Sequence, residues 1–126
     1  MKLHESGENY LETILIIKQR QDTVRSIDIA KEMNFSKASV SRAVNKLKDN
    51  DFVTMDDSGF LDLTEKGLNL ANLIYERHRF FTDFFIYLGV DKNIAAQDAC
   101  KIEHVLSLES YQAMKKYLTK AKEENI

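Results

Sequence analysis

Ser26-Ile-Asp-Ile-Ala-Lys-Glu-Met33-Asn-Phe-Ser36-Lys-Ala-Ser-Val-Ser-Arg42-Ala-Val-Asn-Lys46-Leu-Lys48-Asp-Asn50 is the stretch that decides the fold. Ser26 is read as the cap of a short helix through Met33, with Ile27, Ile29, Ala30 and Met33 facing inward. Asn34-Phe35 makes the turn, and Ser36 caps a following helix from Lys37 to Asn50. The buried side of that helix is Val40, Val44 and Leu47. Between Met33 and Lys48 the charged residues are Lys37, Arg42, Lys46 and Lys48, with no acid among them. Two helices across a tight turn, the second one basic and serine-capped, form a helix-turn-helix signature.

Working outward, Ser6 is read as the cap of a first helix carrying Tyr10, Leu11, Ile14, Leu15 and Ile17 at helical spacing to about Gln21. Downstream, Phe52-Val-Thr-Met-Asp-Asp-Ser-Gly59-Phe-Leu-Asp-Leu63 has two short alternating runs around a turn, and so predicts a hairpin. A hairpin after a recognition helix is a wing. Thr64 caps a long helix ending at Gly89, Asp91 caps one over Lys92–Leu106, and Ser107 caps a last one over Leu108 to about Lys122. The fold class is mostly α: an N-terminal winged helix-turn-helix with a small β-hairpin wing, then an α-helical lobe. The domains are 1–63 and 64–126, joined through the long helix.

At 126 residues the chain fits one domain or two small lobes, and 44% hydrophobic with 30% charged residues is ordinary for a soluble globular protein. No apolar run approaches the ~20 residues that span a bilayer. The N-terminus MKLHESGENYLE lacks a signal core, and a single cysteine suits a reducing cytoplasm, so a cytoplasmic location is expected. The net charge of −2 does not advertise nucleic-acid binding, yet a local basic helix presented twice by a dimer suffices. Proline is absent and glycine stands only at 7, 59, 67 and 89, so the chain should be mostly helix with few breaks.

A second informative stretch is Cys100-Lys-Ile-Glu103-His104. On the predicted helix 92–106 these three stand at i, i+3 and i+4 and leave one face. A thiol, a carboxylate and an imidazole together make a half-shell for a divalent transition metal. Similar groups recur as Glu12 and His78. Taken singly, a surface Glu-His pair is usually solvated and a lone cysteine is usually a small core residue. Their joint occurrence is what favours ligands.

These residues resemble the diphtheria-toxin-repressor family of metal-dependent regulators, which includes the manganese-transport regulators. The matching stretches are Glu8-Asn-Tyr-Leu-Glu12, Asp28-Ile-Ala, Ser39-Val-Ser-Arg42, Leu63-Thr-Glu-Lys-Gly67, Arg77-His78-Arg79 and Ala99-Cys-Lys-Ile-Glu-His-Val-Leu-Ser107, in family order over nearly the whole chain. The resemblance implies a homodimer whose first lobe binds double-stranded DNA at a palindromic operator. Its second lobe would supply the dimer contact and most metal ligands. Longer relatives add an SH3-like domain, and the chain is expected to follow the short architecture without one. Repression of metal-uptake genes is the implied outcome, with the metal as corepressor locking the DNA lobes so that the two recognition helices stand about one DNA turn apart, ~34 Å.

By the same resemblance the metal ligands are Asn9, Glu12, His78, Cys100, Glu103 and His104. Asn9 replaces the Met or Asp of relatives and offers only a neutral carbonyl. Cys100 stands where manganese regulators carry Glu and the iron-responsive branch carries Cys. A thiolate suits softer or borderline metals, so Fe(II) is favoured and Mn(II) comes second. Co(II), Ni(II) or Zn(II) are expected to substitute in vitro. A second site of the iron-responsive branch is expected to be absent or altered, because Thr82 and Ala96 replace its acid and its histidine and Asp83 points elsewhere.

The DNA-contacting candidates are Arg25, Ser36, Lys37, Ala38, Ser39, Ser41, Arg42 and Lys46. Arg42 is the candidate for guanine O6 and N7, and Ala38 for a thymine methyl. Ser36 and Ser39 either hold phosphates or cap the helix, while Arg25, Lys46 and Lys48 suit the phosphate backbone. The run Phe80, Phe81, Phe84, Phe85, Ile86, Tyr87 and Leu88 is too apolar all round for a helix wetted on one side. Its excess, with Val105, Leu106, Leu108 and Leu118, is the candidate subunit contact. Other readings stay open: a winged-helix regulator sensing thiol oxidation or an organic ligand, and a helical protein-interaction module. An enzyme is not expected, since no zinc-protease helix, phosphate-binding glycine loop or nucleophile elbow is present.

Overall fold

The computed structural model describes residues 5–124, and side-chain environments over 6–121. The elements in order are α1 (Glu5–Gln21), α2 (Ser26–Met33), α3 (Lys37–Asp49), β1 (Val53–Met55), β2 (Leu61–Leu63), α4 (Glu65–Tyr87), α5 (Lys92–Ile102) and α6 (Leu108–Glu124). The fold is mostly helical with one small two-stranded antiparallel sheet, as the sequence pattern requires. Two compact units divide inside α4, one up to Ile74 and the other from Tyr75.

In the first unit, Leu11, Ile14 and Ile17 of α1, Ile29 of α2, and Val40, Val44 and Leu47 of α3 are buried with Val24, Phe52, Val53 and Leu61. Burying each such side chain stabilises the fold by about 1.5–3 kcal/mol relative to exposure. That burial, rather than helix propensity, sustains α2, because an isolated helix of eight residues is too short to persist in water. Asn34 ends α2 in the left-handed region at φ 56°, which turns the chain within two residues into the α3 cap. Ser36 Oγ there accepts from Ser39 N at 3.1 Å.

Three expectations in this unit need correction. Ser6 lies inside α1, which already includes Glu5. Arg25, not Ser26, caps α2. Its backbone is extended (φ −123°, ψ 165°) because it bridges antiparallel to Phe60 of the wing, and Asp28 Oδ2 accepts its N–H at 2.9 Å. Ile27 is 36% exposed, so the inward face of α2 is narrower than expected.

The wing pairs Val53 with Leu63, Thr54 with Asp62 and Met55 with Leu61. Its turn is built by Asp56, whose Oδ1 accepts from Ser58 N and Phe60 N, both at 2.9 Å, and by Gly59 at φ 85°. Leu61 N also donates to Val24 O at 2.8 Å, so the segment before α2 lies along the wing. Thr64 Oγ1 accepts from Gly67 N at 3.0 Å and donates to Asp51 O at 2.7 Å, which caps α4 and ties it to the end of α3.

In the second unit, α4 closes through Gly89 at φ 100°, with Gly89 N donating to Ile86 O and Val90 N to Phe85 O, both at 2.9 Å. This is a Schellman closure. Phe81, Ala99 and Tyr111 are buried together, with Phe80, Phe85, Ile102, Leu106 and Met114 packed around them. Asp91 Oδ2 accepts from Asn93 N at 3.0 Å to cap α5, and Ser107 Oγ accepts from Ser110 N at 3.1 Å at the start of α6.

The helix expected to run to Leu106 stops at Ile102. Glu103 keeps a helical backbone (φ −61°, ψ −22°) and its N–H still reaches Ala99 O at 3.0 Å. Val105 N then turns to Ile102 O at 3.2 Å. Carbonyls of the turn beyond the helix find a side-chain donor: Arg77 Nη1 of α4 reaches Glu103 O at 3.2 Å and Leu106 O at 3.0 Å. A buried guanidinium thus takes over where the helical ladder ends.

Candidate metal centre and DNA-facing helix

Cys100 is on the last turn of α5, Glu103 is its C-cap, and His104 follows in the turn. One donor atom from each, a thiol sulfur, a carboxylate oxygen and an imidazole nitrogen, lies within 4.8 Å of the others. Helical continuation through Glu103 is what keeps Cys100 and Glu103 on one face although α5 ends early. His78, from the middle of α4, brings Nδ1 to 2.9 Å from Glu103 Oε2. His104 Nε2 stands 3.1 Å from Glu103 Oε1. The Glu103 side chain is therefore fully buried between two imidazoles, with His104 also buried and His78 28% exposed.

Burial pushes the Glu103 carboxyl up, but hydrogen bonds and charge from His104 and His78 outweigh it and hold the group below the usual glutamate range. An ionised, buried carboxylate facing two imidazoles and a thiol fits a divalent transition metal by donor chemistry. Four of the expected ligands are thus brought together in the second unit. Asn9 and Glu12 stand three residues apart on α1, Glu12 being buried. Of the positions tied to a second site, Thr82 donates its hydroxyl to His78 O at 2.7 Å, and Asp83 is exposed on α4.

On α3, Lys37, Ala38, Ser41, Arg42 and Lys46 are exposed, while Val40, Val44 and Leu47 are buried. Ser36 and Ser39 are engaged locally: their hydroxyls meet at 2.9 Å, and Arg42 Nη2 donates to Ser39 Oγ at 3.4 Å. That contact leans Arg42 toward the helix N-terminus, the end that enters a major groove. Arg25 stacks its guanidinium 4.1 Å from the centre of the Phe60 ring, a cation–π contact that pins the wing to the start of α2. Sequence reasoning missed Phe60 and the buried Arg77. Alternation in the wing exposed no partner for Phe60, and nothing local marks the residue before His78 as buried.

Comparison with known proteins follows the same division. The family model described as iron-dependent repressor, N-terminal DNA-binding domain, matches residues 2–59. The model described as iron-dependent repressor, metal-binding and dimerisation domain, matches residues 64–125. An uncharacterised HTH-type transcriptional regulator of Methanocaldococcus jannaschii is 32% identical over 96% of this chain and 98% of its own length. The HTH-type transcriptional regulator MntR of Shouchella clausii is 32% identical over 81% of this chain and 71% of its own. Among solved structures, the manganese regulator SloR superposes with a TM-score of 0.80 at 29% identity, over 94% of this chain and 55% of that one. No helix among the described residues is long and apolar enough to cross a membrane. The chain belongs to the iron-dependent repressor family of metal-dependent, DNA-binding transcriptional repressors, with a DNA-binding domain followed by a metal-binding and dimerisation domain.

Proposed function

We propose that this repressor senses a divalent transition metal through His78, Cys100, Glu103 and His104, with Glu12 and Asn9 of α1 as the further ligands that the family resemblance suggests. The observation that carries the reading is the convergence of sulfur, oxygen and nitrogen donors within 4.8 Å, with His78 at 2.9 Å from the same carboxylate. A bound ion supplies positive charge and directed coordination to donors that otherwise repel or hydrogen-bond one another. The thiolate of Cys100 favours Fe(II), with Mn(II) second and Co(II), Ni(II) or Zn(II) able to substitute in vitro.

Ion binding favours the DNA-competent arrangement of a homodimer, and by linkage DNA raises metal affinity to the same degree. A coupling of ~1–3 kcal/mol corresponds to about 5- to 150-fold in operator affinity. Arg42 and Ala38 read bases; Lys37, Ser41, Lys46 and Arg25 serve the phosphates. The dimer contact uses the exposed apolar side chains at the end of α4 and beyond it, Ile86, Tyr87, Leu88, Val105 and Leu108. The targets are palindromic operators of metal-uptake genes.

The test is a fluorescence-anisotropy titration of duplexes selected from a randomised pool. It compares chelator, Mn(II), anaerobic Fe(II) and Zn(II) at equal free concentration. Metal-dependent binding to a palindromic consensus is expected, with Fe(II) most effective. Equal binding in chelator and in every metal would overturn the reading.

A further inference from the structure

We infer that Arg77, which donates no metal ligand, is the positioning residue that sets the geometry of the metal centre; the inference rests on the metal reading above. Arg77 and His78 are consecutive on α4, and both reach the same residue across 25–26 positions of sequence. His78 Nδ1 meets the Glu103 carboxylate at 2.9 Å. Arg77 Nη1 meets the Glu103 carbonyl at 3.2 Å and the Leu106 carbonyl at 3.0 Å. One side chain therefore addresses Glu103 by its carboxylate and the next by its main chain.

The turn needs such a hold. Glu103 and His104 lie beyond Ile102, the last helical residue of α5. In this turn Glu103 N donates to Ala99 O at 3.0 Å and Val105 N to Ile102 O at 3.2 Å. The Glu103 carbonyl, at the C-cap of α5, carries partial negative charge, and a buried cation there is favourable. The guanidinium is itself fixed from below by Tyr111, whose ring centre is 5.0 Å away. Arginine suits the task because one nitrogen offers two N–H groups in a rigid plane; lysine offers a single rotatable point charge. Groups that orient ligands without touching the metal typically alter affinity about 10- to 100-fold when changed.

The test titrates Co(II) anaerobically into the full chain as wild type, Arg77→Lys, Arg77→Met and the core control Phe81→Leu. It reads the dissociation constant, the visible ligand-field bands, the thiolate-to-Co(II) charge-transfer band and the apo-protein melting temperature. The expected result is binding weakened about 10- to 100-fold in both Arg77 variants, with altered ligand-field bands. Phe81→Leu should melt earlier but keep the wild-type constant and spectrum. A folded Arg77→Lys protein with wild-type constant and spectrum overturns the inference, and it decides alone if Arg77→Met fails to fold. Weakening in Phe81→Leu in step with its lost stability also overturns it, by assigning the effect to stability. Absence of Co(II) binding or of the thiolate band in the wild type overturns the metal reading itself.

Discussion

His78 Nδ1 stands 2.9 Å from Glu103 Oε2, joining the middle of α4 to the turn after α5. The contact places a carboxylate with no exposed side-chain surface at the centre of the donor cluster. Replacing Glu103 or His104 by Ala should therefore abolish metal-stimulated DNA binding, removing the about 5- to 150-fold gain expected from coupling. Anisotropy titrations with and without metal measure this, and circular dichroism confirms the helical fold. Mutants retaining the full metal response would refute the ligand assignment.

On the proposed reading, Cys100 sets the metal preference. Changing Cys100→Glu exchanges a soft thiolate for a hard carboxylate on the same turn of α5. The ratio of Mn(II) to Fe(II) affinity should rise, measured by competition against a metal indicator under anaerobic conditions. An unchanged ratio would remove the thiolate from the coordination sphere.

Arg42 and Lys46 are both exposed on α3 but should fail differently. Arg42→Ala should cost about 1–3 kcal/mol and relax discrimination at one base position. Lys46→Ala should weaken binding evenly across sequences and reduce the salt slope by about 1. Affinities measured across a salt series and a set of single-base operator variants separate the two.

Gly67 lies in the first turn of α4 against the end of α3. A Cβ there would stand 2.0 Å from Phe52 O, a backbone atom that is itself an acceptor for Thr64 N. An interior helix glycine replaced by alanine normally gains about 1 kcal/mol. Here steric overlap wins, and Gly67→Ala should destabilise by about 1–3 kcal/mol in urea denaturation. A stabilised variant would show that Phe52 and α4 move apart readily.

Glu76 and Lys115 pair across α4 and α6. The hydrogen bond and charge of Lys115 hold Glu76 below its ordinary value. A lowered folded-state pKa gives stability that is present above the unfolded value near 4.5 and lost as pH falls through the folded one. Both side chains are about half exposed, so the effect is small and screened by salt. Thermal midpoints of wild type should fall on acidification below pH ~4.5 more steeply than those of Lys115→Met at low ionic strength. Parallel curves would mean that the pair contributes nothing in solution.

Much of the architecture was legible in residue order because its signals are local. The caps at Ser36, Thr64, Asp91 and Ser107 bond within three residues of themselves, and Val40, Val44 and Leu47 repeat at helical spacing. Cys100, Glu103 and His104 were legible as one group for the same reason, since three or four residues of near-helical backbone bring them together. The sequence by itself thus determined the order of helices, the wing, the basic face of α3 and the donor types near α5.

Tertiary structure decided what distant segments impose on one another. The cap of α2 fell on Arg25 instead of Ser26, where Phe60, 35 positions on, bridges to that extended residue. The end of α5 fell at Ile102, and Arg77, 26 positions before Glu103, donates to carbonyls of the turn that follows. Gly67 is required by a carbonyl 15 positions earlier. Backbone donors and acceptors must all find partners, and where the local ladder stops, the partner comes from whichever element packs there.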